Sequence, residues 1–147
     1  MTRINSAIPV KSLTDEHLLA EHREISRLPW YLQRAIKSGS INRIPEEFTL
    51  GTGHVMFFLD KMQFVWQRYK QVYLECVLRH FAPADMESSF VNGTVAEIYF
   101  NDYKPTEIEK ELLIERISKR IIESPKPYWH YYGKIISKGK AVKMLNK

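Results

Sequence analysis

Hydrophobic and polar positions recur with helical spacing over much of this chain. Within 12–37, SLTDEHLLAEHREISRLPWYLQRAIK, Leu18, His22 and Ile25 fall together at about 100° per residue, with Leu19 beside them. That spacing predicts a helix with one packed side. His17, Ala20, Glu24 and Arg27 form the adjoining stripe, flanked by Arg23. Ser12 or Thr14 can cap this helix, and Asp15 and Glu16 suit its first turn. Pro29 predicts a kink or break near 26–28, with further helix up to Lys37 before Ser38-Gly39-Ser40. Phe58, Met62, Val65, Tyr69, Val72 and Cys76, flanked by Leu59, Trp66 and Tyr73, predict a long spine helix over about 55–80. A third helix is expected after Pro105, over TEIEKELLIERISKRIIES, with Ile108, Leu112, Ile117 and Ile121 as its apolar contacts. The segment 2–10 is too apolar and proline-interrupted for a helix and reads as an arm lying across the core. The segment 44–50 reads as extended or irregular, 82–104 as a surface connection, and 136–147 as a loose basic tail. The expected fold is all-α: a compact single domain over 1–147, with three principal helices and an N-terminal arm crossing the core.

Composition narrows the classes. A length of 147 residues suits one core, and 44% hydrophobic with 27% charged residues indicates a globular rather than a disordered chain. The net charge of +5 permits nucleic-acid binding without requiring it. Cys76 is the only cysteine, so an internal disulfide is excluded and a reducing compartment is the simplest expectation. The longest apolar run, VMFFL at 55–59, falls far short of the about 20 residues that span a bilayer, and no secretory leader pattern is present. A cytoplasmic protein with no membrane association is therefore expected.

Candidate chemistry lies in the first helix and the arm. A Glu and an Arg three apart on a helix are most often a solvated ion pair. Here Glu24 sits among Arg23, Arg27 and His17, with the small Ala20 beside it, and the arm offers a possible partner. Removal of Met1 would leave Thr2 with a free α-amine, whose pKa of about 7.7–8.0 keeps a useful fraction unprotonated near neutrality. Such an amine can attack a sugar C1′ or an aldehyde and form an imine. Gly51-Thr52-Gly53 lacks the spacing and the Lys-Ser/Thr of a phosphate-binding loop. Cys76 and His80 lie one turn apart, but two ligands fall short of the three or four a metal site needs.

Four stretches, MTRIN, LLAEHREISR, GTGHVMFFLDK and PKPYWHYYGK, occur in an order that resembles the phage-type pyrimidine-dimer DNA glycosylases, which also act as abasic-site lyases. The resemblance covers nearly the whole chain and is weakest over 82–104. His22 stands where the family has an aromatic residue, and one extra residue lies among 6–11. The resemblance implies Thr2 as nucleophile and Glu24 as catalytic carboxylate, with His17 near the site. It implies DNA contacts from Arg3, Arg23, Arg27, Arg116 and Arg120, and from the aromatics Tyr128, Trp129 and Tyr131. The implied partner is double-stranded DNA carrying pyrimidine dimers or abasic sites, bound by a monomer, with no metal or organic cofactor. The alternatives are a lyase of the same fold acting on abasic sites or another lesion, and a non-catalytic DNA-binding module. No residue specifies which lesion is preferred.

Overall fold

The computed structural model describes residues 4–91 and 95–146. Helix α1, Asp15–Ile25, starts where the sequence places a cap: the Thr14 hydroxyl accepts from the His17 N–H. It ends before Ser26 and Arg27, and α2, Leu28–Ser38, follows with Pro29 in its first turn, where a missing N–H costs nothing. Gly39, at φ 82°, stops α2. A single helical turn, α3 (His54–Phe57), precedes the long α4 (Met62–Leu78). After the connection come α5 (Glu107–Glu123), strands β1 (Tyr128–Tyr131) and β2 (Lys134–Ser137), and α6 (Lys138–Leu145).

Two apolar clusters make up the core. One gathers Leu18, Val72, Cys76, Leu113 and Ile117; the other gathers Ile25, Leu32, Phe58, Met62 and Tyr69. The arm feeds both, with Ile8 in the first and Ile4 in the second, each fully buried. It therefore crosses the core as expected. An irregular buried segment has carbonyls that no ladder satisfies, and here buried arginines supply the donors. Arg68 donates to the Ile8 carbonyl at 2.7 Å, and Arg79 to those of Leu13 and Val10 at 2.8 and 3.1 Å. The Tyr131 hydroxyl donates to the Lys11 carbonyl at 2.9 Å, and the Ser6 hydroxyl to Glu109. The arginines' charge is balanced within the core by Glu21 for Arg68 and by Asp15 and Glu75 for Arg79.

Four expectations change. The single helix over 55–80 is interrupted between α3 and α4 by tight turns, Phe58 N–H to Val55 O and Leu59 N–H to Met56 O. Phe57, Phe58 and Leu59 are all buried. Three consecutive residues span some 200° of an uninterrupted helix and could not all face inward from it. On α5 the inward row is Glu109, Leu113, Ile117 and Ile121, while Ile108 and Leu112 are exposed. Ile117 and Ile121 face inward as expected, whereas in the first turns the inward positions are Leu113 and Glu109, which accepts from the Ser6 and Tyr103 hydroxyls, rather than Ile108 and Leu112.

The fold is mostly helical, as expected, and the third change is one small hairpin added to it. β1 pairs antiparallel with β2 through a two-residue turn at Tyr132 and Gly133, both at positive φ (53° and 77°), the type I′ geometry that matches strand twist. Asp15 at the start of α1 docks this turn, accepting from the Tyr132 and Gly133 N–H groups at 3.0 and 2.8 Å. The fourth is the tail. Residues 136–145 are not loose: Ile136, Ala141, Met144 and Leu145 are buried in the first cluster. Ser137 caps α6, and Lys138 donates to the Ile122 and Ser124 carbonyls at the end of α5. Apolar residues at helical spacing outweigh the basic composition there. The described parts of the connection, 82–91 and 95–104, hold only two short 3-10 turns, and are pinned by the buried Phe90 and by the Met86 N–H donating to the Tyr69 hydroxyl.

Candidate active site

Of the three buried carboxylates on α1, Glu21 and Glu24 lie in different surroundings. Glu21, fully buried, forms a two-pronged pair with Arg68 at 2.7 and 2.9 Å. Glu24, only 8% exposed, lines a cleft of about 500 Å³. Trp30, Tyr31 and Arg34 of α2 line that cleft too, together with Val55 and Met56 of α3. Trp30 is half exposed and carries the Arg34 guanidinium 4.8 Å from its ring. Glu24 thus stands at the margin of a largely apolar, aromatic-walled recess.

Arg23 and Arg27 are exposed and line a second cleft, of about 390 Å³, between α1 and Pro83, Ala84 and Met86 of the connection. His22 forms part of that wall and is itself buried, which holds its pKa below the usual histidine value. Arg23 and Arg27 thus border one cleft and Glu24 the other.

His17 lies near the start of α1, seven residues before Glu24. The Thr14 hydroxyl meets its Nδ1 at 2.7 Å, and its ring stacks on Trp129 at 5.0 Å and 13°. Burial pushes its pKa down to about 4; Arg120 and Lys126 add to that, and Glu16 opposes it. His17 is consequently neutral near neutrality. Trp129 is buried beneath it, whereas Tyr128 is exposed. Tyr131 is engaged with the arm through its hydroxyl. Arg120 is exposed on α5. Arg116 is half-buried, donates to the Leu50 carbonyl at 2.6 Å, and has its pKa lowered by burial and by Arg120. Thr2 and Arg3 lie outside the described residues.

The described part of the arm nevertheless has a visible anchor at the start of α3. The Ile4 N–H donates to His54 Nε2 at 3.1 Å, and His54 directly precedes the cleft residues Val55 and Met56. Sequence reasoning singled out the GTGHV stretch but gave His54 no chemistry. It missed Glu21, Arg68, Asp15 and Arg79 as a buried charge network, since partners 47 and 64 residues apart leave no local signal. Cys76 is fully buried with its thiol pushed up to about 11, while His80 is exposed just past the end of α4. Among the described residues no cluster of three or more His, Cys, Asp or Glu is placed to hold a metal ion, and no helix is long and apolar enough to cross a membrane.

The GTGHV and LLAEHREISR stretches both fall within residues 1–87, and over those residues the chain matches the family model of pyrimidine dimer DNA glycosylase. The match spans more than half the chain, and it takes in the arm, α1 and the cleft-lining residues. The chain belongs to the pyrimidine dimer DNA glycosylase family, whose members act as glycosylase and abasic-site lyase in the excision of ultraviolet-induced dimers from DNA.

Proposed function

We propose that excision runs through the α-amine of Thr2, exposed by loss of Met1, with Glu24 as its carboxylate partner. The carrying observation is that the arm is tied at Ile4 to His54, whose chain neighbours Val55 and Met56 wall the same cleft as Glu24. The amine attacks C1′ of the damaged nucleotide, and the base leaves with the glycosidic electron pair. The sugar ring opens as the nitrogen lone pair forms an imine, and O4′ takes up a proton. Glu24 stabilises the cationic sugar or imine and assists the proton transfers. Loss of a C2′ proton then expels the 3′ phosphate, and water hydrolyses the imine to free the amine.

Access to C1′ requires distortion of the duplex. In this reading Arg23 and Arg27, with Arg3, grip phosphates on one side of α1, and Arg120 and Tyr128 meet the backbone on the other. Arg116, Trp129 and Tyr131 are engaged with protein groups, so they support that surface from beneath. His17, held against Trp129, fixes the hairpin to α1. The aromatic-walled recess at Glu24 receives a nucleotide drawn out of the stack.

The test is borohydride trapping on ultraviolet-irradiated and abasic duplexes in parallel, with the adduct mapped by mass spectrometry. A covalent adduct on the Thr2 amine with both substrates is the expected result. Trapping on the abasic duplex alone would reassign the enzyme to abasic or other lesions. Binding without any adduct, by protein shown to begin at Thr2, would favour a non-catalytic DNA-binding role.

A further inference from the structure

We propose that His54 is a positioning residue for the N-terminal nucleophile. The proposal rests on Thr2 being that nucleophile. His54 is 2% exposed and lies edge-on between the rings of Phe48 and Phe58, each 5.5 Å away. A phenylalanine would fill that space, so packing alone does not call for an imidazole. Its two nitrogens are both engaged: Nδ1 meets the Thr49 carbonyl at 2.8 Å, and Nε2 receives the Ile4 N–H at 3.1 Å. A carbonyl can only accept and a backbone N–H can only donate. The ring is therefore neutral, with its proton on Nδ1 and its lone pair aimed at the arm.

The loop before α3 is shaped to make this tautomer obligatory. Gly53 is at φ 93°, and a Cβ there would come within 3.1 Å of Pro45 Cγ and 3.7 Å of Thr49 Cγ2. Only glycine lets the chain turn tightly enough to bring the Thr49 carbonyl back onto His54. The GTGHV stretch is thus a device that presents one acceptor to the Ile4 N–H, the backbone donor two residues from Thr2. Two residues of extended chain reach at most about 7 Å. A fixed Ile4 nitrogen therefore limits how far the nucleophilic amine can range.

The remainder of the arm is held independently by Arg68, Arg79 and Tyr131 through the Ile8, Val10, Leu13 and Lys11 carbonyls, and by Glu109 through Ser6. Releasing Ile4 accordingly loosens the reach of the amine while the fold stays anchored. A misplacement of about 1 Å can cost about 100-fold in rate.

The experiment compares wild-type protein with His54→Phe and His54→Gln on an abasic duplex. It measures the single-turnover rate of borohydride-trappable adduct at Thr2, the Kd for the duplex, and the melting temperature. The phenylalanine keeps the packing but offers no acceptor; the glutamine offers a carbonyl oxygen at about the reach of Nε2. The expected result is a ten- to hundredfold slower rate for His54→Phe with Kd within twofold of wild type, and recovery of most of that loss in His54→Gln. Should His54→Phe not fold, His54→Asn takes its place, since its shorter side chain reaches Thr49 but not Ile4. A folded acceptor-less variant trapping at the wild-type rate overturns the role of His54 and leaves the Thr2 mechanism intact. So does a glutamine variant no faster than the acceptor-less one. A wild-type adduct mapped to a residue other than Thr2 overturns both.

Discussion

Glu21 and Glu24 lie one turn apart on α1, and both are less than a tenth exposed. Glu21 faces Arg68 in the core and accepts both prongs of its guanidinium, while Glu24 faces a solvent-connected recess walled by Trp30 and Tyr31. The arginines divide the same way. Arg68 and Arg79 are buried and serve the carbonyls of an irregular arm; Arg23 and Arg27 are exposed and border a cleft. The same two residue types thus hold the fold together in one place and line open clefts in another. A buried ion pair contributes when its remaining hydrogen-bonding groups are satisfied. Arg68 meets that condition through the Ile8 carbonyl.

The comparison breaks most visibly at Glu24. Glu24→Gln is expected to lower dimer-specific nicking of irradiated plasmid by about 10²–10⁴-fold, with little change in melting temperature. Near-normal turnover would remove this carboxylate from the chemistry. Arg68→Met should behave in the opposite way. It strands Glu21 as an unpaired buried charge, and urea unfolding should register a loss of about 3–5 kcal/mol, while activity per folded molecule persists. A loss below about 1 kcal/mol would mean that the buried network is not what holds the arm. The smallest effect is sought at Arg27→Ala. If that side chain neutralises one phosphate, the slope of log K against log salt should shrink by about 0.9, equally on damaged and undamaged duplex. An unchanged slope would place Arg27 outside the DNA interface.

Legibility followed the range of the signal. The α1–α2 unit was readable because Thr14, Pro29 and Gly39 act within a turn of their own positions. The α3–α4 break was not, because burying Phe57, Phe58 and Leu59 together is a demand of the surrounding core. The hairpin turn needs a non-glycine residue, Tyr132, at positive φ, and it is held by Asp15 more than a hundred residues earlier in the chain. The tail carried a readable signal, since Ala141, Met144 and Leu145 recur at helical spacing, but its lysines masked it. At the site, Glu24, Arg23 and Arg27 were legible through a local motif. His54 was visible as part of a pattern, yet its partners Ile4 and Thr49 come from two other segments.

By itself, then, the sequence determined the helical segments with local caps and breakers, the family, and the stripe on α1 that bears the candidate chemistry. These depend on residues within one or two turns of each other, where chain geometry alone decides who meets whom. Only the tertiary structure decided which carboxylate meets Arg68 in the core and which lines a cleft, and which arginines leave solvent. It also decided where the arm is gripped. Those outcomes depend on satisfying polar groups across separations of 47 to 120 residues, and no local pattern records such pairings.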